Sequence, residues 1–341
     1  MTHAKQRNIT VDIVRAVAMI SIIIGHLGIR SINRVVFTYH VTLFYLIAGF
    51  FINEKQPFNS FTFNKIKTLI IPYCLSCTSI IVISAFKAYL QNRPIKASLI
   101  WWIMASLYGA GDSYQEPFVI HSIGAIWFLW ALFWASLLLR WLITKRPLVR
   151  VMAIISVLFV CNWSRQYIWL PLSIQSTGTA LLFMYIGYIY KQVKQILSIL
   201  SKETKLFGTV ILLWIWYSFI RDFQGFWLVH GDYGRGIVDI IGSLSASAII
   251  CMLCSTLAKN KNCITNSLAY LGQYTIMTLF MHIIELDTVI LKMLAQKCTE
   301  VFLSESLYLP LLILLKLVWS LGGTLILSKL RLTRRLFGIK S

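Results

Sequence analysis

The sequence predicts an all-α membrane protein, a polytopic bundle of about ten transmembrane helices. Of its 341 residues, 58% are hydrophobic and only 13% are charged, whereas soluble domains carry about 25% charged residues. Apolar runs of about twenty residues, the length needed to cross a bilayer, recur along the chain. Lys and Arg concentrate in every second connection between these runs. Together these features indicate a multi-pass protein rather than a soluble one.

Ten apolar runs qualify as spans. They occupy residues 9–29, 35–52, 68–88, 123–142, 148–161, 167–190, 206–221, 236–258, 268–290 and 308–328. The chain shows neither an internal repeat nor a low-complexity linker. We therefore expect one membrane-embedded domain over residues 1–341, with no appended soluble domain.

The basic excess reflects topology. The formal charge is +20, but 20 of the 32 Lys and Arg lie in the N-terminal, C-terminal and alternate connecting segments. That bias follows the positive-inside rule and predicts both termini in the cytoplasm. It leaves no clustered basic face that would favour nucleic acid, so the expected surroundings are the lipid bilayer.

The seven cysteines indicate neither a disulfide framework nor a metal site. Cys74/Cys77 and Cys251/Cys254 are close pairs inside apolar runs, but no histidine is near either pair. We therefore interpret them as small buried side chains, and we expect no metal. No small-residue cleavage site follows the first apolar run, so we expect that run to be retained as a span.

That first run, DIVRAVAMISIIIGH, carries three ionisable residues: Asp12, Arg15 and His26. At about 100° per residue, Arg15 and His26 fall about 20° apart around a helix and about 16 Å apart along it. Asp12 lies one turn before Arg15, where a carboxylate can pair with a guanidinium. A structural salt bridge with a packed histidine is one interpretation. Because ionisable groups at membrane depth are costly and usually functional, we favour a polar stripe that faces a cavity.

Asp12-x-x-Arg15 followed by His26 resembles the opening signature of the acyltransferase 3 family of integral membrane O-acyltransferases. The segment 39–49, YHVTLFYLIAG, is similar to the family's Phe-Phe-x-x-Ser-Gly segment, with Ala48 where the family usually has Ser. Weaker similarities follow at residues 126–129 and 271–282. The resemblance implies that His26 is the base or acyl carrier and that Arg15 contacts donor phosphate or carbonyl.

A basic run and a Pro-Tyr pair extend the resemblance. Lys65 and Lys67 stand where the family tends to have Arg, and Pro72-Tyr73 follows. The resemblance implies donor-binding roles for Lys65, Lys67 and Tyr73. Anionic lipid headgroups are the alternative partner for the two lysines.

The resemblance also implies the reaction. Acetyl-CoA, or another acyl-CoA, would supply the acyl group from the cytosol as a substrate, with no permanently bound cofactor. A hydroxyl of a surface polysaccharide or lipid-linked glycan would receive it at the outer face of a bacterial inner membrane. Either the bundle completes the O-acetylation alone or a partner acyl-acceptor protein takes over.

Other candidates lie outside the first span. His40 and the pair His282/Glu285 are secondary candidates for the chemistry, although such a pair equally often joins two helices. Acceptor-side candidates are Trp127, Asp112, Glu116 and His230, because aromatic rings beside carboxylates suit sugars. The same residues are also typical of membrane-interface loops.

Two other functions remain. A transporter or flippase of a lipid-linked sugar or small solute would also use ten spans with ionisable residues near mid-membrane. The chain lacks the inverted repeat and the matched broken helices that such transporters show. A scaffold subunit would not need the stripe of Asp12, Arg15 and His26.

Overall fold

The structure, a computed structural model, describes residues 7–302 and 305–339. Within these residues the regular secondary structure is helical, with isolated β-bridges in the loops and no β-strand, which confirms the all-α prediction. The helices are α1 (Ile9–Gly25), α2 (Arg30–Val36), α3 (His40–Phe50), α4 (Phe58–Lys65), α5 (Ile71–Leu90), α6 (Ile95–Tyr108), α7 (Trp127–Leu142), α8 (Pro147–Ser164), α9 (Ser176–Ile199), α10 (Lys202–Arg221), α11 (Ile237–Leu257), α12 (Cys263–Gln273), α13 (Thr275–Thr288), α14 (Ile290–Phe302), α15 (Tyr308–Leu317), α16 (Gly323–Lys329) and α17 (Arg331–Leu336).

In the described part of the chain, six helices are long and apolar enough to cross a membrane. They are Phe58–Leu90, Gly124–Leu142, Pro147–Ser164, Lys202–Arg221, Ile237–Leu257 and Tyr308–Lys329. Each overlaps one of the predicted spans. The membrane class is therefore supported, while the count of ten spans and the cytoplasmic position of both termini stay predictions.

The predicted span 35–52 is not one continuous helix. α2 ends at Val36, and α3 begins at His40. Between them, the Thr38 hydroxyl donates to the Val35 carbonyl at 2.6 Å. Such a local bond competes with the helical ladder. The break places His40 in the first turn of α3.

Two further predicted spans differ from the observed helices. The run 268–290 is divided at Tyr274, where α12 ends and α13 begins. The run 167–190 becomes helical only at Ser176, because Leu172 and Ser173 adopt positive φ. These breaks divide the apolar runs into shorter helices.

The helix that carries the basic run contains a π turn. Residues Ile66–Ile70 connect α4 to α5, and the Ile71 amide donates to the Ile66 carbonyl. Pro72 has no amide hydrogen to continue the α-helical ladder, which accounts for the irregular turn just before it. The turn follows directly after Lys65.

α3 and α9 cross in backbone contact. A Cβ on Gly49 would lie 1.8 Å from the Met184 carbonyl oxygen, and a Cβ on Gly187 would lie 2.1 Å from the Leu46 carbonyl oxygen. Only glycine fits at such reciprocal positions, a common device where membrane helices approach closely. The crossing holds the family-like segment of α3 rigidly in the bundle.

α1 lies at the centre of the bundle, against α3, α11, α12 and α13. The Asn8 side chain caps its N-terminus by accepting from the Val11 amide. Ile13, Ala18 and Ile23 are fully buried along it. The stripe of ionisable residues is therefore carried by one of the best-anchored helices of the protein.

The connection between residues 89 and 122 contains a helix that includes Trp101. That helix, α6, has 14 residues, too few to span comfortably. After it, the ring of Tyr114 stacks on Trp169 with centroids 4.7 Å apart.

Candidate active site

A cavity of about 810 Å³ lies inside the bundle and is lined by most of the candidate residues. Arg15 and Lys65 line one end, Asp112 and His230 line the other, and His26 lies along its wall. From Arg15 to His26 the wall follows α1 for eleven residues, about 16 Å. The prediction that the stripe faces a cavity is therefore confirmed for Arg15 and His26.

Asp12 is held mainly by a residue that the pattern did not indicate. Arg7 Nε lies 2.7 Å from Asp12 Oδ2, while Arg15 Nη1 lies 3.8 Å from Asp12 Oδ1. The Asp12 side chain is only 4% exposed, whereas that of Arg15 is 32% exposed. Arg15 therefore contacts Asp12 loosely and keeps its hydrogen-bond donors for the cavity.

His26 has an assignable tautomer. Its Nδ1 lies 2.9 Å from the Ile22 carbonyl oxygen and 3.1 Å from His282 Nε2. Because a carbonyl oxygen can only accept, Nδ1 carries the hydrogen and donates it. The lone pair is then on Nε2, the nitrogen that a general base or a nucleophile needs.

Behind His26 lies a buried chain of ionisable groups. His282 Nδ1 lies 3.0 Å from Glu285 Oε1, a contact without the geometry of a good hydrogen bond. Lys316 Nζ donates to both Glu285 oxygens at 2.8 and 2.9 Å. The side chains of Glu285 and Lys316 are 2% and 7% exposed. The Glu285–Lys316 pair holds His282 in place, and the His282 ring in turn contacts the ring of His26.

At the end near Arg15 the structure separates the expected donor-binding residues. Lys65 lines the cavity, and its charge interacts with that of Arg15. Lys67 is exposed, with Nζ 4.3 Å from the centre of the Phe63 ring, and is not among the lining residues. The Tyr73 hydroxyl donates to the Ser106 carbonyl at 2.6 Å, away from the cavity.

The C-terminal segment also reaches this end of the cavity, and no motif in the sequence predicted this position. Phe337, Gly338 and Ile339 are lining residues. Gly338 lies against Thr68 and the Lys67 backbone. Residues 337–339 therefore form part of the wall beside Lys65.

At the opposite end of the cavity, the loop of residues 109–123 meets the loop of residues 222–236. His230 Nε2 lies 3.2 Å from Asp112 Oδ2, and the Tyr114 hydroxyl lies 2.9 Å from His230 Nδ1. Burial, together with the Asp112 charge, raises the pKa of Tyr114, so its hydroxyl stays protonated and donates to His230. His230 then carries its hydrogen on Nε2, the nitrogen that faces the Asp112 carboxylate. The loops thus supply a fixed polar group at the cavity wall.

Aromatic residues continue from these loops toward the middle of the cavity. Trp227 packs on Phe37 at 5.0 Å between centroids, and Phe37 packs on His40 at 4.7 Å. His40 donates from Nδ1 to the Val36 carbonyl at 2.8 Å. Trp127 is buried and also lines the cavity, while Glu116 does not.

This arrangement suits group transfer. One end offers positive charge without a carboxylate of its own, since Asp12 belongs to Arg7. The middle offers an imidazole with a free Nε2, and the other end offers polar and aromatic groups. A model of the acyltransferase domain family, acyltransferase 3, matches residues 8–329. The chain belongs to the acyltransferase 3 family. It is therefore a membrane acyltransferase.

No curated protein and no solved structure matches the chain. The family match covers both the similar segments near the N-terminus and the weaker ones beyond residue 120. Ala48, which stands where acyltransferase 3 proteins usually have Ser, lines the cavity. At that position this acyltransferase offers a methyl group where a hydroxyl was expected.

Proposed function

We propose that the protein transfers an acetyl group from cytosolic acetyl-CoA to a hydroxyl of a cell-surface polysaccharide or lipid-linked sugar at the outer face of a bacterial inner membrane. The observation that carries this proposal is the single cavity shared by Arg15, Lys65, His26, Asp112 and His230. A donor and an acceptor that approach from opposite ends would meet beside His26.

The donor end matches the chemistry of coenzyme A. Its phosphates need positive charge, and Arg15 and Lys65 provide it. Arg15 can form two parallel hydrogen bonds with phosphate, while Lys65 acts as a point charge. The uncharged arm that carries the thioester would extend along α1 toward His26.

The reaction follows from the His26 tautomer. Nε2 accepts the proton of the acceptor hydroxyl while the hydroxyl oxygen attacks the thioester carbonyl. The carbon–sulfur bond breaks, coenzyme A leaves as the thiolate, and the proton on His26 passes to that sulfur. The alternative route has Nε2 attack the thioester first, which gives an acyl-imidazole that the hydroxyl then cleaves.

The test is to incubate the purified protein with radiolabelled acetyl-CoA in the presence of membranes from its own cells. Label should appear in glycan as an alkali-labile ester, with one coenzyme A released per ester. A transporter or flippase has no reason to consume a thioester, so a protein that leaves acetyl-CoA intact would contradict the proposal. Label that remains on the protein when acceptor is withheld would select the acyl-imidazole route.

A further inference from the structure

A second cavity, of about 760 Å³, lies between the end of α13, α14 and the start of α15. His26 and Leu286 line both this cavity and the first one. α1 places its Arg15 end at the donor side and its His26 end at the other. The second cavity therefore meets the reaction centre at the end away from the expected donor.

The polar face of α14 is turned into this cavity. Lys292, Gln296, Thr299 and Glu300 follow the spacing i, i+4, i+7 and i+8, which places them on one face of a helix, and all four are lining residues. Apolar side chains of the same helix, among them Leu294 and Val301, are exposed on its outer surface. Lys292, Gln296 and Glu300 are exposed as well, so the cavity is open along the polar face of α14, while Thr299 lies buried at its inner edge.

The deep wall of the cavity is polar as well. It is formed by Glu285 and Lys316, whose ion pair is buried and lies behind His282. The pair also holds His282, but its charged groups are lining residues, and charged groups in a wall favour a polar occupant over an acyl chain. The occupant is therefore a polar molecule.

The charges of the wall select the kind of polar molecule. Among the described lining residues, Lys292 and Lys316 balance Glu285 and Glu300, and the rest of the polar wall is neutral: Gln296, Thr299 and Tyr308. The donor end of the first cavity is different, since no carboxylate joins Arg15 and Lys65 among the described lining residues there: Asp12 does not line the cavity. Mixed donors and acceptors beside an aromatic ring suit a hydroxyl-rich, uncharged ligand, with the ring against a pyranose face.

We propose that this second cavity is the acceptor subsite, which binds the sugar units on one side of the hydroxyl that is acylated. The proposal rests on the proposed function, because it takes His26 as the reaction centre. The sugar could belong to a lipid-linked oligosaccharide or to a finished polysaccharide, and both present the same glycosyl chemistry to the cavity.

The test uses a matched pair of lysines on α14. Lys292 and Lys297 are both exposed on α14, but only Lys292 lines the cavity. Lys292→Gln removes a donor from the wall, and Gln296→Trp fills the space. Lys297→Gln and Lys297→Trp are the controls. Each full-length variant is assayed in inside-out membrane vesicles from cells that lack their own copy, with radiolabelled acetyl-CoA.

The expected result is that Lys292→Gln and Gln296→Trp lower acetyl transfer by about tenfold or more, the effect of losing one or two hydrogen bonds to the acceptor. Coenzyme A binding should stay unchanged, and both controls should behave as the unaltered protein. Label in the lipid-extractable fraction identifies a lipid-linked acceptor, and label in polymer identifies a finished polysaccharide.

Two failures are distinguishable. If the unaltered protein transfers no acetyl group, the proposed function is wrong, and the acceptor-subsite proposal that rests on it is wrong as well. If the unaltered protein is active and both cavity variants match the Lys297 controls, the subsite alone is wrong. If Gln296→Trp also loses coenzyme A binding, that variant is misfolded. The comparison of Lys292→Gln with Lys297→Gln then decides whether the second cavity is the acceptor subsite.

Discussion

Arg7 Nε lies 2.7 Å from Asp12 Oδ2, more than an ångström closer than Arg15 Nη1 lies to the other oxygen of the same carboxylate, at 3.8 Å. The two arginines therefore have different roles. Arg7 neutralises a buried carboxylate at the start of α1. Arg15, one turn further in, keeps a guanidinium available to the cavity.

The first prediction separates these roles. Arg7→Ala should lower stability by about 1–3 kcal/mol, because it leaves the buried Asp12 carboxylate poorly paired, and it should change the KM for acetyl-CoA little. Arg15→Ala should raise that KM strongly and cost less stability. Arg15→Lys should give an intermediate KM for acetyl-CoA, since lysine keeps the positive charge but cannot form two parallel hydrogen bonds with phosphate. The measurements are thermal unfolding in detergent and donor kinetics. Equal KM values for Arg7→Ala and Arg15→Ala would contradict the assignment.

Much of the stripe could be predicted from the sequence. Helical spacing put Arg15 and His26 on one face, and the structure shows that both line one cavity. The Arg7–Asp12 pair was missed because a separation of five residues is not a helical contact spacing. The partner of Glu285 was missed because Lys316 is 31 residues away in the sequence and on another helix. No local pattern links such residues.

The fold shows the same division. Hydrophobic length identified the six long apolar helices, since every backbone polar group in lipid must be satisfied within the helix. The break between Val36 and His40 was missed because the apolar run continues through it, so hydrophobicity alone cannot show where one helix ends and the next begins. The positive φ of Leu172 was missed because it depends on a tertiary contact, in which the Leu172 amide donates to the Tyr108 carbonyl at 2.6 Å.

The second prediction concerns topology. An even number of spans with a basic N-terminus inside puts both termini in the cytoplasm. In a background without native cysteines, a single cysteine at either terminus should react with a membrane-impermeant maleimide only after permeabilisation. Labelling of intact cells at one terminus alone would mean that the number of spans is odd.

The third prediction distinguishes Lys65 from Lys67. Lys65 lines the cavity near Arg15, whereas Lys67 is exposed beside Phe63. Lys65→Ala should raise the KM for acetyl-CoA more than it lowers kcat, because a phosphate contact held equally in ground and transition states contributes uniform binding. Lys67→Ala is the matched control and should stay close to the unaltered protein. If both leave the KM unchanged, lipid headgroups are the better partner for the two lysines.

The fourth prediction addresses the buried ion pair. Lys316→Met leaves Glu285 charged and unpaired, which should cost about 3–5 kcal/mol of stability. The double variant Glu285→Gln with Lys316→Met should recover much of that stability, because no isolated charge remains. The kcat of the double variant should still fall by about tenfold or more, since the charged pair that positions His282 against His26 is gone. Coenzyme A binding checks that it is folded, and a normal kcat would restrict the pair to a structural role.

The last prediction concerns His26. His26→Ala should lower acyl transfer by a factor of about 10² to 10⁴ or abolish it, because general acid–base catalysis by a positioned side chain contributes that much. Donor binding should persist, since Arg15 lies about three helical turns from His26 and Lys65 lies on another helix. The matched control is His40→Ala, which removes an imidazole from the same cavity. The readouts are ester formed on the acceptor and coenzyme A bound, at equal amounts of inserted protein. Near-normal transfer by His26→Ala, with loss in His40→Ala, would move the chemistry to His40.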